Sequence, residues 1–112
     1  MATRPYSGIW PVAPTPFTET GAVDDDGMRR VLDCMIDQGC DGICILANFS
    51  EQFLISDAER EHLTRLCLEH VAGRLPVIVT ISHFATDIAV ARARQAKELG
   101  AAIVMMMAPY HG

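Results

Sequence analysis

The sequence predicts an α/β protein built on parallel strands, and three observations carry that prediction. Three helix-like patterns each stop at a glycine (Gly39, Gly73, Gly100). Within a few residues each glycine is followed by a β-prone run: GICIL, PVIVTI and AIVMMM. These runs are continuously apolar, without alternation, as strands covered on both faces are. A chain of 112 residues has room for one domain. On folding it buries roughly two-thirds of its extended-chain surface.

The first helix is expected from about Asp25 to Gln38. Met28, Val31, Leu32, Met35 and Ile36 recur there at the i, i+3, i+4 spacing that makes one apolar face. Asp24, Asp25 and Asp26 stand at its start, where carboxylates cap free N–H groups and favour the positive end of the helix dipole. The run therefore reads as a helix start, not as a metal cluster. The second helix opens with Ser56-Asp57-Ala58-Glu59, a capping box, and carries Leu63, Leu66, Cys67 and Val71 inward. His62 and His70 flank that face and read as structural residues. The third helix, about Thr86 to Leu99, aligns Ala89, Ala93 and Ala96, small enough for close packing on a sheet. With the opening run GIWPVAP as a strand, the order is β-α-β-α-β-α-β, four parallel strands with three helices.

Composition excludes several partners. The net charge is −5 and the nine basic residues are scattered, so neither nucleic acid nor an anionic membrane surface is expected to bind. The longest apolar stretch, from Ala101 to Pro109, is far below the ~20 residues a bilayer span needs. MATRPYSG lacks the apolar core of a signal peptide. Cys34, Cys40, Cys44 and Cys67 form no C-x-x-C and lie in or beside apolar segments, so buried free thiols and a reducing cytoplasm are expected.

Right-handed crossovers place the C-terminal ends of all parallel strands on one edge. Four segments thereby gather where α/β folds bind ligands: Thr15-Pro16-Phe17, Asn48-Phe49-Ser50-Glu51, Ser82-His83-Phe84 and Pro109-Tyr110-His111. The second is conspicuous, because an ordinary connection would use Gly, Pro or Asp. A Rossmann or flavodoxin-like sheet should carry a Gly-rich phosphate turn after its first strand, and APTPFTETG is not one. The expected architecture is the N-terminal half of an eight-stranded TIM barrel, with residues 1–112 as part of that one domain.

GIWPVAPTPF at 8–17, the Asp-rich helix start, the strand-end motif with Glu51, GRLPVIV at 73–79, the Ala85-Thr86 helix start and AAIVMMMAPYHG stand in one register. In that order and spacing the chain resembles the N-terminal part of the dihydrodipicolinate synthase / N-acetylneuraminate lyase family. The resemblance implies a (β/α)8 barrel, usually oligomeric. It further implies a lysine Schiff base with a 2-keto acid, followed by aldol cleavage, condensation or dehydration, with no cofactor. The family motif Gly-Thr/Ser-Thr-Gly-Glu, which cradles the substrate carboxylate, matches Ala47-Asn48-Phe49-Ser50-Glu51. Asn48, Phe49, Ser50 and Glu51 are thus the expected substrate-binding residues.

The departures from that motif are informative. Asn48 stands where the family has a proton-relaying hydroxyl, and an amide orients a group without relaying protons well. Phe49 removes a second hydroxyl and Ser50 restores one a position later. An Asn-Phe-Ser-Glu variant is associated with dehydratases of 2-keto-3-deoxy sugar acids. The competing reading is an aromatic plug followed by a helix-entry serine. Of the family's Pro-Tyr-Tyr, this chain has Pro109-Tyr110-His111, which makes Tyr110 and His111 the expected catalytic residues.

The resemblance puts the Schiff-base lysine on a sixth strand, beyond Gly112. Lys97, the only lysine in the sequence, sits in QAKELG on the third helix. A nucleophilic lysine needs a pocket that lowers its pKa, which a helix surface does not supply. These residues alone are therefore expected to be inactive. The alternative is a half-barrel or flavodoxin-like module that binds a small carboxylate or a partner subunit without catalysis.

Overall fold

A computed structural model describes residues 6–107. The elements in chain order are α1 (Asp25–Asp37), β1 (Ile43–Ile45), a single 3-10 turn (Gln52–Leu54), α2 (Asp57–Val71), β2 (Val77–Thr80), α3 (Thr86–Leu99) and β3 (Ile103–Met105). The three strands form one parallel sheet in the order β1-β2-β3. Ile43 lies opposite Val77, and Ile78 opposite Ile103.

The expected opening strand, GIWPVAP, is not formed among the described residues. What remains of it is one parallel bridge between Val12 and Cys44. The Ala13 N–H donates to the Cys44 carbonyl at 2.8 Å, and the Cys44 N–H donates to the Pro11 carbonyl at 3.0 Å. The ladder cannot lengthen on one side because Pro11 has no N–H to give. On the other side Leu46, with φ 61°, turns β1 out of the extended conformation. The segment nonetheless lies where a neighbouring strand would. Asp41 clasps it, accepting from the Ile9 N–H at 2.8 Å and donating its own N–H to the Ile9 carbonyl at 2.9 Å. The Trp10 ring packs directly over Gly42, in space that any side chain at 42 would fill.

The helices follow the sequence closely. Asp24 caps α1, its Oδ1 accepting from the Gly27 N–H at 3.0 Å, while Asp25 and Asp26 turn to His62 and Arg29. The acidic run is a helix start in which each aspartate has partners of its own. In α2 the capping box is complete: the Glu59 N–H donates to Ser56 Oγ at 3.1 Å and the Ser56 N–H to Glu59 Oε1 at 2.8 Å. In α3, Ala89 and Ala96 are buried, and Gly100, at φ 103°, closes the helix in a conformation that a side chain would resist.

The core joins Met28 and Leu32 of α1, Leu63, Cys67 and Val71 of α2, Ile43, Ile45, Val77 and Val79 of the sheet, Ala96 of α3 and Ala13. His62 and His70 are structural here. His62 Nε2 lies 2.7 Å from Asp25 Oδ2 and His70 Nε2 2.8 Å from Asp33 Oδ1, so two His–Asp pairs fasten α2 to α1. All four cysteines are free. Cys44 and Cys67 are buried, and burial pushes the Cys67 thiol up to about 12, which leaves it unreactive. Cys34 departs from expectation: α1 carries it on the solvent side, away from the Met28–Leu32 face. Among the described residues no helix is long and apolar enough to cross a membrane.

Candidate functional site at the strand ends

Three of the four expected segments fall within the described residues, and they follow β1, β2 and the Val12 bridge. Tyr110 and His111, the expected catalytic residues, lie outside the described residues.

After β1 the chain turns tightly. The Ser50 N–H donates to the Ala47 carbonyl at 3.0 Å, the Gln52 N–H to the same oxygen at 3.3 Å, and the Glu51 N–H to the Asn48 carbonyl at 2.9 Å. Glu51 itself sits in the left-handed region at φ 61°. The turn is thus shaped by backbone bonds that use up most of its own donors.

Ser50 is fully buried, at 0% exposure, and its hydroxyl donates to the Ala13 carbonyl at 2.5 Å. With hydroxyl and N–H both donating within the protein, Ser50 ties the β1 turn to the opening segment. Phe49 is 68% exposed, so it is no buried plug. Asn48 and Glu51 are also exposed. Gln52 Nε2 donates to Asn48 Oδ1 at 2.8 Å, which fixes the amide with its NH2 group turned away from Gln52. Four side chains of one motif thus divide: Ser50 inward as a strap, and Asn48, Phe49 and Glu51 outward on the face where ligands enter α/β folds.

After β2, Ser82 is buried and His83 half-buried. His83 Nδ1 accepts the Ala85 N–H at 2.9 Å, at a helix entry where Ala85 offers no capping side chain. Its ring meets Phe84 edge-on at 6.5 Å.

Two arginines were missed by sequence reasoning. Arg60 of α2 is buried, with only 6% exposed, and donates to the Thr80 carbonyl at the end of β2. Burial, aided by Arg92, lowers its pKa to about 10, so it stays charged near neutrality. Arg92 of α3 donates to the Ser82 carbonyl at 2.6 Å and pairs with Asp57 Oδ1 at 3.2 Å. Arg60 had a signal in the sequence: it lies three and seven residues before Leu63 and Cys67, on the apolar stripe. Among the described residues, no group of three or more His, Cys, Asp or Glu side chains is placed to hold a metal.

The fold and the strand-end geometry define a class: a parallel α/β unit with its candidate site at the C-terminal ends of the strands. Residues 5–112 match the Dihydrodipicolinate synthetase family, and the chain belongs to it. It is 59% identical over 111 residues to L-2-keto-3-deoxyarabonate dehydratase of Azospirillum brasilense, covering 99% of this chain and 36% of that protein. It superimposes on dihydrodipicolinate synthase of Aquifex aeolicus with a TM-score of 0.90 at 29% identity, over 95% of this chain and 36% of the other. With N-acetylneuraminate lyase of Mycoplasma synoviae the TM-score is 0.88 at 29% identity, over 94% and 37% respectively. The chain therefore spans about a third of the length of these relatives.

Proposed function

We propose that these residues are the N-terminal part of a Schiff-base-forming lyase of 2-keto acids, specifically a dehydratase of 2-keto-3-deoxy sugar acids. One observation carries the reading: the 59% identity, over nearly the whole chain, to a dehydratase of such an acid. In that reading residues 1–112 belong to one (β/α)8 domain of a cytoplasmic homo-oligomer. β1 to β3 and the Val12 segment supply the first part of the barrel wall.

The chemistry follows from the substrate. A neutral lysine amine adds to the C2 ketone and expels its oxygen as water, leaving an imine. The imine draws electrons from C3, a base removes the C3 proton, the C4 hydroxyl leaves as water with a proton from an acid, and water then hydrolyses the imine to free the lysine and the dehydrated keto acid. The exposed amide of Asn48 orients the substrate carboxylate by donating from its NH2 group. Phe49 gives the sugar chain an apolar wall, Glu51 completes the motif, and Ser50 keeps the turn in shape. Tyr110 and His111 are assigned the acid–base steps next to the carboxylate. An amide at 48 is compatible with dehydration when other groups carry the protons that the family hydroxyl relays.

The lysine comes from a strand beyond these residues. Lys97 is exposed to solvent on α3, so it lacks the desolvated pocket that activates a nucleophilic lysine. The test is to incubate the full-length enzyme with a 2-keto-3-deoxy sugar acid, reduce with borohydride and weigh it. One stoichiometric adduct on a lysine outside residues 1–112, with release of a dehydrated keto acid, is expected. An adduct on Lys97, or turnover without any adduct, would overturn the reading.

A further inference from the structure

β3 ends at Met105 and the described residues end at Met107, three before Tyr110, and the connection to β2 changes character between them. Through Thr80 and Met105 the two strands pair by backbone in parallel register, and the Ile81 N–H still donates to the Met105 carbonyl at 2.8 Å. Two residues further along, the Met107 N–H donates at 2.8 Å to the hydroxyl of Ser82, not to a backbone carbonyl. The Ser82 carbonyl is taken by Arg92 at 2.6 Å, and Arg92 is anchored in turn by Asp57 at the start of α2. Immediately upstream, the buried Arg60 holds the Thr80 carbonyl. The end of β2 is therefore fixed from both covering helices, and past Met105 a side-chain oxygen, that of Ser82, carries the fixation on to Met107.

We infer that Ser82, held by Arg92, is a positioning residue that fixes the backbone at Met107, just past the end of β3. The inference rests on the proposed lyase reading for its catalytic consequence, since the next residues in sequence are Ala108-Pro109-Tyr110-His111. Ser82 does not touch the substrate; it acts through the Met107 amide. A serine serves here because its oxygen accepts a hydrogen bond while its small side chain stays buried, with 7% exposed. Threonine would keep the acceptor, and alanine would remove it and leave the carbonyl bond to Arg92 untouched.

The experiment compares Ser82→Ala and Ser82→Thr in the full-length enzyme by steady-state kinetics, thermal melting and hydrogen exchange at the Met107 amide. Ser82→Ala is expected to lower kcat about ten-fold, ~1.4 kcal/mol by the usual conversion. KM for the keto acid should stay within two-fold, because the substrate carboxylate is held by the β1 turn. Met107 exchange should rise about ten-fold with little change in melting temperature, and Ser82→Thr should recover both. A Ser82→Ala enzyme with unchanged Met107 exchange overturns the inference. So does parallel loss of kcat and melting temperature that Ser82→Thr fails to restore, because that pattern marks a merely structural serine. If the wild-type enzyme neither turns over nor is labelled by a 2-keto acid, the proposed function falls. The exchange arm then decides the linkage by itself: a rise that threonine reverses supports it, and no rise overturns it.

Discussion

β1 and β3 are strands of equal length in one parallel sheet, Ile-Cys-Ile and Ile-Val-Met, and composition alone would bury them alike. The structure does not. Every residue of β1 is buried, whereas Ile103 and Met105 are half-buried and Val104 is 41% exposed. β1 has β2 on one side and the Val12 segment on the other, with α1 and α2 packed on the core it joins. β3 is paired only with β2 among the described residues. The ends of the two strands differ in the same sense. The β1 turn is closed by its own backbone bonds and by Ser50, while the β3 end hangs on Ser82. Neighbours, not intrinsic apolarity, decide how firmly each strand presents its part of the site.

The largest test of that contrast is in the core. Leu63 of α2 is 1% exposed and belongs to the cluster that contains β1. Leu63→Ala removes buried methyl groups and leaves a cavity, at a cost of ~2–5 kcal/mol. The urea midpoint should fall accordingly in equilibrium unfolding. A loss below about 1 kcal/mol would mean that the site collapses readily, as a loosely packed side does.

Next is the strap. Ser50→Ala leaves the buried Ala13 carbonyl without its hydroxyl partner, worth ~1–3 kcal/mol. Because Ser50 supports the turn that bears Asn48, the proposed lyase reading also expects the full-length protein to bind a 2-keto acid more weakly, with a higher KM. An enzyme with unchanged stability and unchanged KM would remove Ser50 from both roles.

The open edge should respond in the opposite way. Val104→Lys places a charge at a position already 41% exposed, and surface changes of this kind usually stay within about 0.5 kcal/mol. In the 112-residue chain by itself, an unpaired apolar edge strand is a template for association, and an edge lysine opposes it. Light scattering at tens of micromolar, the order at which exposed edges cause association, should show oligomers for the parent chain and fewer for Val104→Lys. A compact monomer in both cases would mean that β3 is protected by something other than a neighbouring strand.

These differences indicate what a sequence can and cannot reveal. Helix bounds were legible because caps and glycine stops are local: Ser56 with Glu59, Asp24 with Gly27, and Gly100 all act within a few residues. The opening strand was not, because its apolar run hides a missing donor at Pro11, and the neighbouring β1 turns away at Leu46, which only pairing exposes. At the candidate site, the location of Asn48 to Glu51 was readable from chain order and strand polarity. The inward turn of Ser50 was not, since its partner, Ala13, lies far away in the sequence. Arg60 and Arg92 were overlooked because arginine is usually a surface residue, and only the carbonyls of Thr80 and Ser82 make their inward position favourable.

The smallest expected effect concerns the closed side's outer seam, where Asp33 of α1 meets His70 of α2 at 2.8 Å and Arg74 at 3.5 Å. The hydrogen bond from His70, and after it the charges of His70 and Arg74, hold the Asp33 carboxyl below its usual value of 3.8. A carboxylate whose folded pKa lies below its unfolded pKa binds fewer protons folded than unfolded in the window between the two. The stability it contributes is therefore fully present above pH ~4 and fades as pH falls through the folded value. The side chain is half-exposed, so solvent and salt screen the pair and the contribution is small. Asp33→Asn should thus lower the melting temperature slightly at pH 6 in low salt, with the gap narrowing below pH 4 and in molar salt. A gap that stays constant with pH would assign the effect to helix packing, and would leave the α1–α2 seam resting on its apolar contacts alone.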